Sequence, residues 1–335
     1  MKTTNRIYLL KKALSLILFL FFASFAYCTT NHNAISRAID TTEIVHISQT
    51  KQVIRLKGSN DQNPVLLYLN GGPGDSVLDL MDKAFSELQK DFIVVLWDQR
   101  NVGKTSELKN QKIPITQELF ENDTYELIQY LLQRFSKKKI VLVAHSYGTT
   151  LGFGIARNHP ELLFTFVAAN PLINQTESEL ITLNMLKEHA KKSNNKKAIK
   201  QLDNVSIPFK NGEELYYARK WLFDFEGKVI QKDKSFRRIV LAWSASWLEL
   251  FNEVIQENLF ESTKKIDCPI YFIIGQNDYQ TNSVLTQKYY HKLQAPQKEI
   301  YSIKNAGHHI PFENGMDFQN AVKEHVLSTI ANNKN

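Results

Sequence analysis

Ile140-Val-Leu-Val-Ala-His-Ser-Tyr-Gly148 sets an apolar, β-branched run directly against a serine and a glycine. Residues 140–143 read as a buried strand. Gly148 and Gly152 follow in a stretch that reads as a helix ending near Asn158-His159-Pro160. A serine at a strand-to-helix corner holds its hydroxyl above the end of a sheet. It also stands over a helix N-terminus, whose unbonded N–H groups attract an anion. This is the nucleophile elbow G-x-S-x-G, with Ala144 replacing the first glycine. Ser146 is therefore the candidate nucleophile, and the N–H of Tyr147 a candidate oxyanion donor.

Such an elbow requires an acid and then a base, each on a loop after a later strand. Pro269-Ile-Tyr-Phe-Ile-Ile274 is a second buried-strand run and ends in Gly275-Gln-Asn-Asp278. Residues 297–303 form a third strand signal, ending in Asn305-Ala-Gly-His308-His309. Asp278 and His308 thus fall in the required order. His308 would take the proton of Ser146, and Asp278 would orient the imidazole. Singly, such an Asp is a turn residue or helix cap, and such a His is an ordinary loop residue. Their order after successive strands carries the assignment, with His309 as the rival base. An earlier strand, Pro64-Val-Leu-Leu-Tyr-Leu69, runs into Asn70-Gly-Gly-Pro-Gly74. Glycine lets backbone approach a substrate carbonyl closely, which makes Gly72 the second oxyanion donor and Gly71 the next choice. The same loop also reads as a tight turn, with Pro73 setting its φ.

Gly71-Gly-Pro-Gly74, Asp98-Gln-Arg-Asn-Val-Gly-Lys-Thr105, Ala144-His-Ser-Tyr-Gly148 and Gly307-His308 together resemble the α/β-hydrolase superfamily, and within it the proline iminopeptidase-like group. The resemblance runs from about residue 43 to the C-terminus, apart from one long insert. Against the group's D-Q-R-G-x-G-x-S and G-G-S-x-G patterns, this chain has Asn101, Thr105 and Ala144-His145. The resemblance implies an α/β fold: a mostly parallel eight-stranded sheet with helices on both faces and an inserted helical lid. It implies a serine hydrolase working through an acyl-enzyme, specifically an aminopeptidase acting on short peptides. It makes Asp98-Gln99-Arg100 a pocket-framing turn. It also implies that lid carboxylates hold the substrate's α-amino group, with Glu213, Glu214 and Glu249 as candidates. An esterase or lipase using the same residues is the alternative, and a binding protein without chemistry the remote one. Fold and triad do not separate the first two, because substrate choice lives in the pocket.

The organisation of the chain agrees. Its 335 residues, 43% hydrophobic and 22% charged, are ordinary globular usage and ample for one large domain with an insert. Strand signals at 43–48, 52–56, 92–97 and 164–168 complete a set of eight, alternating with helical patterns as a parallel sheet requires. Residues 76–88 and 316–330 have helical spacing, and Asp123-Thr124 offers a cap for the helix between them and Leu132. The core is expected over 43–170 and 268–335. Residues 171–267 lose the strand signal and read as a helical lid with helices at 177–192, 213–223 and 235–251. The lysines between 187 and 200 read as a solvated face. Residues 1–26 read as a secretory signal peptide, four basic residues preceding an apolar run and small residues, and residues 27–42 as a leader. Export to the periplasm or medium follows from this reading, with an uncleaved signal anchor as the alternative and no other membrane partner expected. Tyr27 argues against lipidation of Cys28. Lys2, Arg6, Lys11 and Lys12 supply four of the +7 net charges, and the remaining charge of about +3 gives no reason to expect a nucleic-acid partner. No metal-ligand spacing and no nucleotide-binding glycine loop occurs, so neither metal nor cofactor is expected.

Overall fold

Eight runs of apolar residues pair into one sheet in the order β1-β2-β4-β3-β5-β6-β7-β8. The computed structural model describes residues 37–109, 113–228 and 233–332; the signal-peptide reading of 1–26 lies outside them. The strands are β1 (Ile39–Ile47), β2 (Thr50–Gly58), β3 (Val65–Leu69), β4 (Ile93–Asp98), β5 (Ile140–His145), β6 (Leu163–Ala169), β7 (Ile270–Gly275) and β8 (Lys298–Ile303). The first begins at Ile39, inside the stretch read as leader. β1 and β2 form an antiparallel hairpin, β2 meets β4 antiparallel, and all other neighbours are parallel. β3, β4, β5 and β7 are buried at every position, because helices cover both faces. That is why their sequences are continuous apolar runs, not alternating ones.

The two faces carry separate cores. On one, Leu67, Leu69 and Leu142 pack with Phe120, Leu127 and Leu131 of α1 (Gln117–Arg134) and with Leu151 of α2 (Gly148–Asn158). On the other, Leu66, Tyr68 and Val141 pack with Leu78, Met81, Phe85 and Leu88 and with the apolar stripe of the last helix. Between β6 and β7 the chain forms the helices α3 (Gln175–Lys192), α4 (Lys196–Leu202), α5 (Gly212–Phe225) and α6 (Asp233–Val254), with a core of their own. Two further helices, α7 (Ser283–Lys292) and α8 (Gly315–Asn332), flank the last strands. Among the described residues no helix is long and apolar enough to cross a membrane.

Two local expectations are corrected. Residues 76–88 bury the expected face but form only short turns, Leu78–Leu80 and Met81–Ala84, before another at Leu88–Lys90. The reason is tertiary: buried Gln319 of α8 accepts from the N–H of Glu87 and Leu88, and Gln89 donates to the Met81 carbonyl. Those groups would otherwise bond within a helix. Asp123-Thr124 is not a cap either. Thr116 caps α1, its side chain accepting from Leu119 N–H, and Asp123 is buried in the helix interior. There it receives two bonds from buried Arg100, through Nε and Nη2, and one of 2.9 Å from Gln52. An enclosed carboxylate is tolerated because these donors replace water.

Removing one member of such a pair strands the other charge in the interior. Asp123→Ala should cost about 3–5 kcal/mol in urea unfolding, and Arg100→Met with Asp123→Leu should recover most of it.

Candidate active site

The sheet order reverses between β3 and β5, and the crevice at such a switch point opens above the carboxyl ends of the strands. Leu69 pairs with Ala144, His145 with Ala169, and Ala169 with Ile273. Parallel register therefore brings the residues just past each strand to one edge: the glycine loop after β3, Ser146 after β5, Asn170 after β6.

Ser146 has φ +52°, a left-handed conformation that costs an L-residue about 1–2 kcal/mol. The corner is fixed from several sides. Ser146 N–H donates to Ala169 O at 3.0 Å, and Thr149 donates to Ser146 O through both N–H and Oγ1. Gly148 is required because a Cβ there would lie 2.4 Å from Leu69 O, and Gly152 because one would meet the Phe166 ring at 2.4 Å. Ala144 faces that same bare backbone: its methyl would be 3.4 Å from a Cβ on Gly152, so it fits where the family pattern has glycine.

The structure brings Ser146, His308 and Asp278 together. His308 Nε2 lies 2.9 Å from Ser146 Oγ, and His308 Nδ1 lies 2.8 Å from Asp278 Oδ2. His309 bonds neither Ser146 nor Asp278 among the described residues; burial, and next His308, push its pKa down to about 4. Asp278 accepts from Gln280 N–H (2.8 Å), Thr281 N–H (3.0 Å) and Thr281 Oγ1 (2.7 Å). Burial alone would raise its pKa; the adjacent His308 and the Thr281 bonds outweigh that and hold it below the usual carboxylate value. It is thus held as an acceptor, which leaves the Nδ1 proton on His308.

Gly72 and Tyr147 both line the cleft beside Ser146. Neither N–H donates to another protein group among the described residues. Gly71 is the closer of the glycines to the serine, a Cβ on it falling 3.0 Å from Ser146 Cβ, but it does not line the cleft.

Three residues that frame this arrangement carry no clear signal in the sequence. Buried Asn170 donates through Nδ2 to the carbonyls of Gly307 (3.1 Å) and His308 (2.7 Å) and accepts from Gly275 N–H (2.7 Å). Its one local mark is a polar residue at the end of an apolar strand, just before Pro171. His145 Nε2 donates to the same His308 carbonyl at 2.8 Å. Burial, then His308, push its pKa down to about 3, so the ring is neutral. Asp75, after the glycine loop, also lines the cleft.

The Asp98-Gln99-Arg100 turn, which the resemblance made pocket-framing, does not itself line the cleft but braces the glycine loop from behind. Asp98 accepts from Ser76 Oγ (2.7 Å) and Lys104 N–H (2.8 Å), fixing the far end of the glycine loop. Asn101 has φ +59°, a region glycine favours and asparagine tolerates. Thr105 Oγ1 donates to Asp98 O and accepts from Val53 N–H, as a serine hydroxyl would.

Leu215, Phe223 and Trp243 of the helical insert line the same cleft, of about 240 Å³, and Trp243 Nε1 donates to Pro73 O at 2.7 Å. The three insert glutamates that the resemblance made candidates do not line it. Glu213 pairs with Arg237, Glu214 accepts from Ser206 and Lys210, and Glu249 lies in a separate hollow.

Residues 64–315 match the alpha/beta hydrolase fold family, and the chain belongs to it. It is a hydrolase. The probable aminopeptidase YbaC of Bacillus subtilis (strain 168) is 26% identical over 309 residues, covering 87% of this chain and 97% of that protein. The crystal structure of proline iminopeptidase from Mycobacterium smegmatis has a TM-score of 0.65 at 14% identity, over 86% of this chain and 98% of that one. A thermophilic esterase from Thermogutta terrifontis has a TM-score of 0.56 at 18% identity, over 86% and 99%. The two structures share the fold with this chain.

Two measurements probe the corner itself. Ser146→Gly relieves the left-handed strain that Ser146→Ala retains, so the glycine variant should be the more stable by about 1 kcal/mol in urea unfolding. His145 gives a pH signature. Below about 6.5 the unfolded chain takes up a proton that folded His145 refuses until about pH 3. Its contribution is therefore nil above 6.5 and destabilising as pH falls, by about 1.4 kcal/mol per unit. His145→Gln, which keeps a side-chain donor, should flatten the acid limb by that slope; an unchanged slope would refute the buried neutral ring.

Proposed function

We propose that Ser146, His308 and Asp278 carry out acyl transfer through a covalent acyl-enzyme, and that the physiological reaction is release of an N-terminal residue from a short peptide. The observation that carries this is the unbroken hydrogen-bonded chain from Ser146 Oγ through both His308 nitrogens to a buried, multiply bonded Asp278. As Ser146 Oγ attacks the carbonyl carbon, its proton passes to His308 Nε2. The imidazolium is stabilised by Asp278, and the oxyanion accepts from the N–H of Tyr147 and Gly72. Collapse breaks the C–N bond, and the leaving amine takes the proton from His308. Water then gives a proton to the same nitrogen and attacks the ester; as the C–O bond breaks, His308 returns that proton to Ser146 Oγ and the acid leaves. The insert at 171–267 serves as the lid, its aromatic and aliphatic side chains shaping what enters.

The peptidase reading is supported by the likeness to a probable aminopeptidase over 87% of this chain and 97% of that protein. The second reading, an ester hydrolase, is favoured by the apolar wall of Leu215, Phe223, Phe236, Ile239 and Val240, which an acyl chain would fill.

Ser146→Ala should lower kcat by roughly 10⁶-fold and abolish labelling by a serine-reactive phosphonate; Asp278→Asn should cost about 10⁴-fold. Prolyl and alanyl arylamides assayed against short and long p-nitrophenyl esters separate the two readings. Turnover confined to esters would sink the peptidase.

A further inference from the structure

Asp75 follows directly on the glycine loop and lines the cleft with Gly72, Ser146 and His308. A Cβ on Gly72 would sit 3.5 Å from its carboxyl carbon, so the acid stands against the strip of backbone that presents the Gly72 N–H. Its backbone carbonyl accepts from Asn70 Nδ2 at 3.3 Å. No side chain among the described residues bonds or pairs with the carboxylate. The residue is exposed, and partial displacement of water around the carboxylate raises its pKa.

The other ionisable groups around it are already satisfied or neutral. Arg219 of α5 lines the cleft but is matched by two bonds to buried Glu179 of α3. His308 is bonded at both ring nitrogens, and His309 is kept neutral by burial. Tyr68 of β3 stays protonated, its pKa raised by burial and then by the Asp75 charge. Ionised Asp75 is thus, among the described residues, the one uncompensated charge lining the cleft. Asp75 is exposed on the cleft wall, and an unpaired carboxylate there is free to take a cationic partner that enters the cleft.

We propose that Asp75 is the specificity residue that holds the substrate's α-ammonium group beside the carbonyl attacked by Ser146. The proposal rests on the acyl-transfer reading above and moves amine recognition from the lid to the core. Among the described residues, the insert acids nearest the site are engaged elsewhere or lie outside the cleft: Glu226, which does not line the cleft, pairs with Lys228 at 3.2 Å. Glu213, Glu214 and Glu249 are outside the cleft, and Glu179 is occupied by Arg219. An α-ammonium is one carbon from the carbonyl, so its acceptor must stand close to the oxyanion donors. Contact between Gly72 and Asp75 meets that requirement.

The test compares the p-nitrophenyl esters of alanine and of propionate, which differ only in the α-ammonium, at pH 6–6.5. Both are acyl donors whether the natural substrate is an amide or an ester, so failure of the peptidase reading leaves the comparison intact. With each rate normalised to spontaneous hydrolysis, the wild type should prefer the alanine ester in kcat/KM. Asp75→Asn and Asp75→Ser should lower that preference by about tenfold or more, chiefly through KM. Acidification should erode the wild-type preference as Asp75 takes up its proton, and leave the ratio flat in the variants. An unchanged ratio in the variants, no preference in the wild type, or variants inactive on both esters would overturn the assignment.

Discussion

The side-chain amide of Asn170 is the joint on which the crevice depends. It follows the end of β6, between the strand that leads to Ser146 and the strand that leads to Asp278. With one oxygen it takes the Gly275 N–H at the end of β7, and with one nitrogen it holds two successive carbonyls in the loop that carries His308. Asn170 is thereby tied to two chain segments more than a hundred residues away by a group with no ionisable atom. The amide is fully used, and its orientation is dictated, since the oxygen faces a donor and the nitrogen faces acceptors. A buried network of this kind is specific because every alternative leaves a polar group unpaired.

Around that joint the charges are arranged to be few and answered. Asp278 is kept ionised by His308 and the Thr281 bonds, and Arg100 with Asp123 and Arg219 with Glu179 each close on themselves. His145 is pressed close to His308 yet remains neutral, so it supports the His308 backbone without setting a second positive charge beside the ring. Asp75 stands apart from these closed pairs, the exception that gives the cleft a polarity.

The parts of the molecule that could be read in advance are those governed by short-range pattern. Buried parallel strands announce themselves as uninterrupted apolar runs, and the elbow, acid and base follow at strand ends in a fixed order. What could not be read depends on partners distant in sequence. Asp123 resembles a helix cap until Arg100 is seen beneath it. The segment 76–88 has helical spacing, but Gln319 captures the N–H groups that would have continued a helix. Asn170 has only the weak local mark of a polar residue closing an apolar strand. Glu213, Glu214 and Glu249 have the right chemistry, and only the packing of the insert shows that they lie outside the cleft.

The left-handed backbone at Asn101 bears on how such chains are found. A search that demands glycine there, serine at 105 and glycine at 144 discards this sequence at all three positions. One that asks instead for a residue able to turn left, a hydroxyl able to both give and accept a hydrogen bond, and a side chain no larger than a methyl retains it. The alphabet of this fold is one of conformations and bonding valences, and several letters spell each of them.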